Sequence, residues 1–347
     1  MRKFLYVCWG LTVALLAQGQ VSFEIRSIDP VRLPIVIDSN TQVTRENGNL
    51  LLYSSAGDPF LNTFDSQFRL VKSEPVTILG RVAPYPLWIE STLRHGDAVY
   101  AWYHQERHGV CPNSTLAVPE IGALVSYDNG RIFHDLGVVL TSGAPVNCAA
   151  RNGYFASGHG DFSVIADRNR EYVYFLFGSY GGELGEQGVS IARMPFASLA
   201  NPVGEVRKYF QGEWNEPGEG GRVTPVFPAA ASWADAGTDS FWGPSIHWNT
   251  HLNAYVILMN RSCCEPQWPQ EGTYLSSTAD LSNPQSWTAP QRILPYGDWY
   301  PWLVNMAEDA GDEFGKRLRF FARDYSDLEI EFDPTPAAEG TLYTNIE

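Results

Sequence analysis

Three carboxylates carry the first hint of chemistry. Asp38, Glu90 and Asp161 sit in Ile35-Val-Ile-Asp38-Ser-Asn40, Leu87-Trp-Ile-Glu90-Ser-Thr92 and His159-Gly160-Asp161-Phe162, each beside a short apolar segment. Carboxylates sharing one cavity push their pKa values apart, and an acid held neutral beside one held ionised is what general acid/base chemistry requires. Asp38 then reads as base or nucleophile, Glu90 as acid and Asp161 as the orienting, pKa-tuning carboxylate. A plainer reading gives each acid a turn to cap or a structural hydrogen bond to make. The matching position of all three favours a shared role.

Other polar and aromatic side chains form a candidate binding set. His104, Glu106 and Glu120 lie in a stretch dense in His and Glu (103–122) that reads as a long loop, and long structured loops are usually functional. His104 and His108 have a metal-ligand spacing only on a helix, and Gly109 and Pro112 argue against one, so no metal is expected there. His159 stands at the mouth of the third acidic segment. Glu271 immediately precedes a strand-like run. Trp242 and Trp299 belong to an aromatic group that either stacks on a ligand or packs between elements.

What positions these residues is a repeat. A hairpin of two short strands recurs five times: 35–40 with 49–53, 87–92 with 98–103, 162–166 with 172–177, 243–248 with 254–259, and 300–305 with 317–322. Between copies lies a second hairpin type, at 64–71 with 75–79, 122–133 with 134–140, 188–194 with 205–210, and 273–277 with 287–294. After the fifth copy only 328–332 remains, and 21–28 is placed to complete that unit. The polar run 213–222 reads as an inserted loop. Four strands per unit, repeated, describe an all-β fold: a five-bladed β-propeller with four-stranded antiparallel blades. Runs such as Tyr172-Val-Tyr-Phe-Leu-Phe177 are apolar throughout, as expected of strands covered on both faces. A two-sheet sandwich would not alternate long apolar hairpins with polar-tipped ones.

Ser126-Tyr-Asp128-Asn-Gly130-Arg-Ile-Phe133 fits the Asp-box pattern SxDxGxx[WF]. Its physics is structural: a carboxylate accepting amides across a turn, glycine at positive φ, and an aromatic anchor.

The chain has 347 residues and a formal charge of −15. It opens Met1-Arg2-Lys3, then an apolar run 4–16, then Ala17-Gln18-Gly19, the pattern of a secretory signal cut after residue 19. About 328 residues, 20–347, would remain as one propeller domain, with 22 basic against 39 acidic side chains, a net of −17. Such a surface disfavours nucleic acid and anionic membranes. No apolar run is long enough to span a bilayer as a helix. A secreted or periplasmic monomer is expected. Cys8 leaves with the signal, and Cys111, Cys148, Cys263 and Cys264 stay. Four cysteines allow three pairings. Cys111 with Cys148 is preferred because it closes a long loop, whereas adjacent cysteines rarely join.

With acids at the openings of its inner strands, the chain resembles the five-bladed β-propeller glycoside hydrolases of the arabinanase/xylosidase and levansucrase/invertase group. The resemblance is architectural and covers nearly the whole mature chain. It implies a carbohydrate substrate, with Asp38 as base and Asp161 as the pKa-tuning acid. It also implies no organic cofactor and leaves room for a cation in the axial channel, as in relatives. The group's acid stands in Glu-Gly-Pro. Here the run is Trp242-Gly243-Pro244, so Glu90 or Glu271 must substitute. A propeller that binds carbohydrate without cleaving it is the alternative. The Asp box and Val31-Arg32-Leu-Pro34 are also loosely similar to sialidases, which have several Asp boxes and six blades.

Overall fold

The computed structural model describes residues 20–82, 84–306 and 313–333. The signal-like segment 1–19 lies outside them. In chain order the strands are β1 (Ser22–Arg32), β2 (Val43–Glu46), β3 (Asn49–Ser55), β4 (Pro59–Phe64), β5 (Leu70–Pro75) and β6 (Thr77–Leu79). Next come β7 (Leu87–His95), β8 (Ala98–Arg107), β9 (Val118–Ser126), β10 (Ile132–Leu140), β11 (His159–Ala166) and β12 (Tyr172–Ser179). They are followed by β13 (Gly188–Pro195), β14 (Arg207–Phe210), β15 (Glu213–Pro217), β16 (Phe227–Pro228), β17 (Ser240–Asn249) and β18 (Ala254–Ser262). The last are β19 (Gln270–Thr278), β20 (Gln291–Pro295), β21 (Pro301–Asn305), β22 (Arg317–Ala322) and β23 (Tyr325–Asp333).

These strands form five sheets, the blades of a propeller. Blade one is β2-β3-β4-β5, blade two β7-β8-β9-β10, blade three β11 to β15, blade four β17 to β20, and blade five β21-β22-β23-β1. The amino-proximal β1 closes blade five, with Phe23 opposite Phe332. Two blades carry more than four strands. β6 joins β10 in parallel, and β16 joins β13.

The second strand of each blade explains the doubly apolar runs. In β3, Leu50 and Leu52 pack towards Trp302 and Phe321 of blade five, while Leu51 and Tyr53 pack towards Ile89 and Tyr103 of blade two. In β12, Phe175 and Phe177 meet Trp102 and Val125 of blade two, and Tyr174 and Leu176 meet Ile257 and Met259 of blade four. Val256 and Leu258 then face Leu303 and Phe320 of blade five. Alternate side chains thus serve opposite interfaces, and both must be apolar. Each such burial contributes about 1.5–3 kcal/mol.

The Asp box closes the β9–β10 turn. Asp128 Oδ1 accepts the amides of Arg131 (3.1 Å) and Ile132 (2.9 Å), and Gly130 takes φ 82°. The Tyr53 hydroxyl donates to the Gly130 carbonyl at 2.8 Å, pinning the turn to blade one.

Several expected details differ. Segment 35–40 is not the inner strand of blade one. It is extended chain with one bridge, Ile37 to Ser55, and the shorter β2 takes the ladder because it matches the register of β3. The outer hairpin of that blade begins earlier, at Pro59, and Thr77–Leu79 is given to blade two. Run 213–222 is partly strand: β15 pairs with β14. Cys111–Cys148 is bonded as expected, but Cys263 and Cys264 are also bonded to each other, which overturns the expectation for adjacent cysteines.

Candidate active site

A distortion repeated in three blades sets the site. In β7 the ladder slips between Ile89 and Ser91, so Glu90 is the extra residue of a bulge. In β11 it slips between Gly160 and Phe162, and Asp161 takes φ 42°. In β17 it slips between Trp242 and Ser245, where Gly243 takes φ 58°. A bulge turns one side chain out of the pleat, a common device beside functional sites. Two blades aim a carboxylate this way. The fourth has a glycine at the corresponding point.

The two aimed acids are differently held. Glu90 is fully buried: one oxygen bonds His104 Nδ1, and the other accepts the Phe162 amide at 2.9 Å. Asp161 accepts hydroxyls from Tyr180 and, at 3.0 Å, Tyr300. Asp38 reaches the group from the extended lead-in to blade one. Its side chain is 42% exposed, and Arg323 lies 3.6 Å from it. Arg323 also lies 3.5 Å from Asp298 and covers the Trp299 ring at 4.9 Å.

His104 and Glu106 lie on strand β8, not on a loop as expected, and two-residue spacing puts both on one face. The fields of these groups overlap. Burial raises the Glu106 carboxyl, His104 opposes this, and the Asp161 and Asp38 charges add to the rise. Asp38 is raised by burial and by Asp161, against Arg323 and His104. Burial also raises Glu90 and Asp161. Burial alone would lower His104, but the Glu90 carboxylate, helped by Asp161 and Glu106, outweighs it and pushes the imidazole up to about 9. The ring stacks on Trp88 at 4.7 Å.

The structure therefore brings Asp38, Glu90, His104, Glu106 and Asp161 together, with Trp299 at the edge beside Arg323. It does not bring the others. Glu120 turns to the opposite face of the sheet and accepts from Gln105 at 2.7 Å. Glu271 is held by Arg292 at 2.5 Å and by Tyr274, apart from the acids. Trp242 is fully buried among Trp268, Trp299 and Tyr300, so its faces are taken. His159 bonds Lys208 and faces a separate cavity. Three site residues were missed as partners: Tyr180, Tyr300 and Arg323. Tyr300 immediately precedes the inner strand β21, the same signal that singled out the acids, whereas Tyr180 follows the second strand β12.

A narrow channel of about 150 Å³ runs along the axis, lined from all five blades, with Glu90 on its wall. Asn40 Oδ1 and His247 Nε2 also belong to its lining residues and have no hydrogen-bond partner. Burial lowers His247 to about 3, so the ring is neutral and has one nitrogen with a lone pair to offer. An amide oxygen, a neutral imidazole and a nearby carboxylate are a donor set that fits a cation.

No family model matches the chain, and no curated protein sequence does. Solved structures do. A thermostable family-43 glycoside hydrolase aligns with a TM-score of 0.53 at 10% identity, over 91% of this chain and 100% of that one. A structure named glycoside hydrolase aligns at 0.52 and 10% identity, over 91% and 96%. The α-L-arabinanase of Cellvibrio cellulosa aligns at 0.50 and 13% identity, over 85% and 91%. At such identity the likeness is one of fold, and it extends over the whole propeller.

Proposed function

We propose that the protein is an exported glycoside hydrolase acting on a glycan. The observation that carries this is the convergence of Asp38, Glu106 and Asp161, each with a carboxyl raised by burial and by its neighbours, around an edge open to solvent at Asp38. The shared fold with a family-43 glycoside hydrolase and an arabinanase supports it.

The roles follow exposure. Glu90, first taken for the acid, has both oxygens occupied and no solvent contact, so it cannot reach a glycosidic oxygen. Glu106 is one-fifth exposed and raised, so it is the proton donor to the leaving oxygen. Asp38 is the partner: it either takes a proton from the attacking water or attacks the anomeric carbon itself. Asp161, oriented by two tyrosines, keeps Glu106 protonated. Glu90 fixes His104 beneath it. A cation in the channel, held by Asn40, His247 and Glu90, would add positive charge below this acidic group.

The test is hydrolysis of a glycan library by purified protein, with Asp38→Asn and Glu106→Gln beside it. Each variant is expected to lose activity on the order of 10²–10⁴-fold while still binding the glycan. A wild type that releases no sugar from any glycan it binds would sink the catalytic reading. The second reading, a carbohydrate-binding propeller without turnover, draws on Gly243, which stands where an acid would project from blade four. The remaining expectations for this protein are a monomer, outside the cytoplasm, with no nucleic acid or membrane partner. No helix of the described residues is long and apolar enough to cross a membrane.

A further inference from the structure

Blade three carries a larger cavity, about 730 Å³, that is separate from the acids. Its floor is made by His159, Ser179 and Tyr180, and one wall by the segment around Ala144. Tyr180 is the partition: its ring lines the cavity and its hydroxyl bonds Asp161 on the other side.

The floor has unmet polar demand. His159 and Ser179 are each 1% exposed; Ser179 Oγ has no hydrogen-bond partner, and His159 Nδ1 has at most the adjoining Gly158 carbonyl in poor geometry. Buried polar atoms are seldom left so in the absence of a ligand or water. Lys208 settles which hydrogen His159 carries. Its ammonium donates to the Thr141 and Gly221 carbonyls at 2.7 Å each, and its third direction meets His159 Nε2 at 3.2 Å. Nε2 is thus the acceptor, and Nδ1–H remains as a donor. Burial, with Lys208 beside it, holds the imidazole well below its usual pKa, hence neutral. Burial brings Lys208 to about 7, so it is charged at pH 6.

At the rim, Arg222 is paired with Glu186, and Glu183 lies 3.9 Å from it. Glu216 accepts the Arg222 amide at 3.0 Å and also acts on Lys208, so two cations face three carboxylates and the balance is slightly negative. A donor, a hydroxyl, small apolar walls at Ala144 and Ala156, and no excess of positive charge match a neutral ring that is hydroxylated on its edge and apolar on its face.

We infer that this cavity is a second saccharide site seating one neutral monosaccharide unit, with one ring hydroxyl accepting from His159 Nδ1 and another paired with Ser179. The inference rests on the reading of the protein as one that handles glycans.

The experiment titrates D-galactose, L-arabinose, D-xylose and D-galacturonate separately into full-length protein at pH 6, by calorimetry and ligand-observed NMR. Four forms are compared: wild type, Ala144→Trp, Ser179→Ala and the double variant Asp38→Asn/Glu106→Gln. At least one neutral sugar is expected to bind the wild type and the double variant alike. Ala144→Trp fills the cavity from its half-exposed wall and should weaken that binding at least tenfold, and Ser179→Ala about fivefold. D-Galacturonate should bind at least tenfold more weakly than the neutral sugar. Failure of every neutral sugar to bind, or binding indifferent to both Ala144→Trp and Ser179→Ala, overturns the inference. Should Ala144→Trp not fold, Ser179→Ala decides alone. Glycan hydrolysis is measured on the same samples. Cavity binding without any hydrolysis would refute only the catalytic reading, and hydrolysis without cavity binding would refute only this one.

Discussion

Asp161 shows how much one residue's surroundings decide. Its backbone sits at φ 42°, a region that non-glycine residues seldom adopt, and its two oxygens accept hydroxyls from blades three and five. Both hydroxyls favour the ionised form. Tyr300→Phe removes one, so the Asp161 pKa rises and the ionised form disappears at a higher pH. The acid limb of the kcat/KM profile should then move up by roughly 1–2 pH units, since a hydrogen bond to a charged group is worth about 1.5–3 kcal/mol. The Glu90–His104 pair gives a second test. His104 is raised from 6.5 to about 9, so its contribution is fully present below pH 6.5 and is lost as pH climbs through 9. The melting temperature should drop between pH 6.5 and 9.5 by the equivalent of about 3 kcal/mol, and Glu90→Gln/His104→Gln should flatten that slope. Glu90 and Asp161 were legible because a repeated strand pattern gives matching residues matching places; Asp38 was picked by the same pattern although its segment is a lead-in and not the inner strand of its blade. Which of them touches solvent was not legible. Exposure is set by Tyr180, Tyr300 and His104 closing over the acids, and that depends on blades brought together from distant sequence. Glu106 was noticed but placed on a loop, since its strand continues past the apolar run into polar residues.

At the scale of elements, the hairpins were readable and their edges were not. Continuous apolar runs identified β8, β12 and β18 because two blade interfaces share each strand. Segment 35–40 has the same composition without a partner to ladder with, and no single-strand pattern distinguishes the two. For the aromatic group around Trp242 the sequence left two readings, stacking on a ligand or packing between elements, and Trp242 packs. Trp242 is 0% exposed among Trp268, Trp299 and Tyr300. Trp242→Ala should cost about 3–5 kcal/mol in urea unfolding, where loss of a free stacking surface would leave stability unchanged. The Asp box behaves as a fastener. Asp128→Ala strips the carboxylate from two turn amides and should destabilise by about 1–3 kcal/mol without changing sugar binding.

Over the whole molecule, the number of blades separates the readings left open by motif alone. Five sheets around one axis differ from the six of a sialidase-like ring, and a single Asp box serves one blade. The Cys111–Cys148 bond fastens the long stretch after β8 across 37 residues. The double variant Cys111→Ser/Cys148→Ser should lose about 4 kcal/mol by the loop-entropy relation, read as a lower midpoint of unfolding. The pairing of β1 with β23 has a different consequence. Ser22 lies opposite Asp333, so the first and last described strands are hydrogen-bonded neighbours. The ring therefore has no privileged starting blade. A circular permutant that links these two ends with a short flexible bridge and begins at another blade would keep every interface, and it could even carry a fused reporter at the new opening.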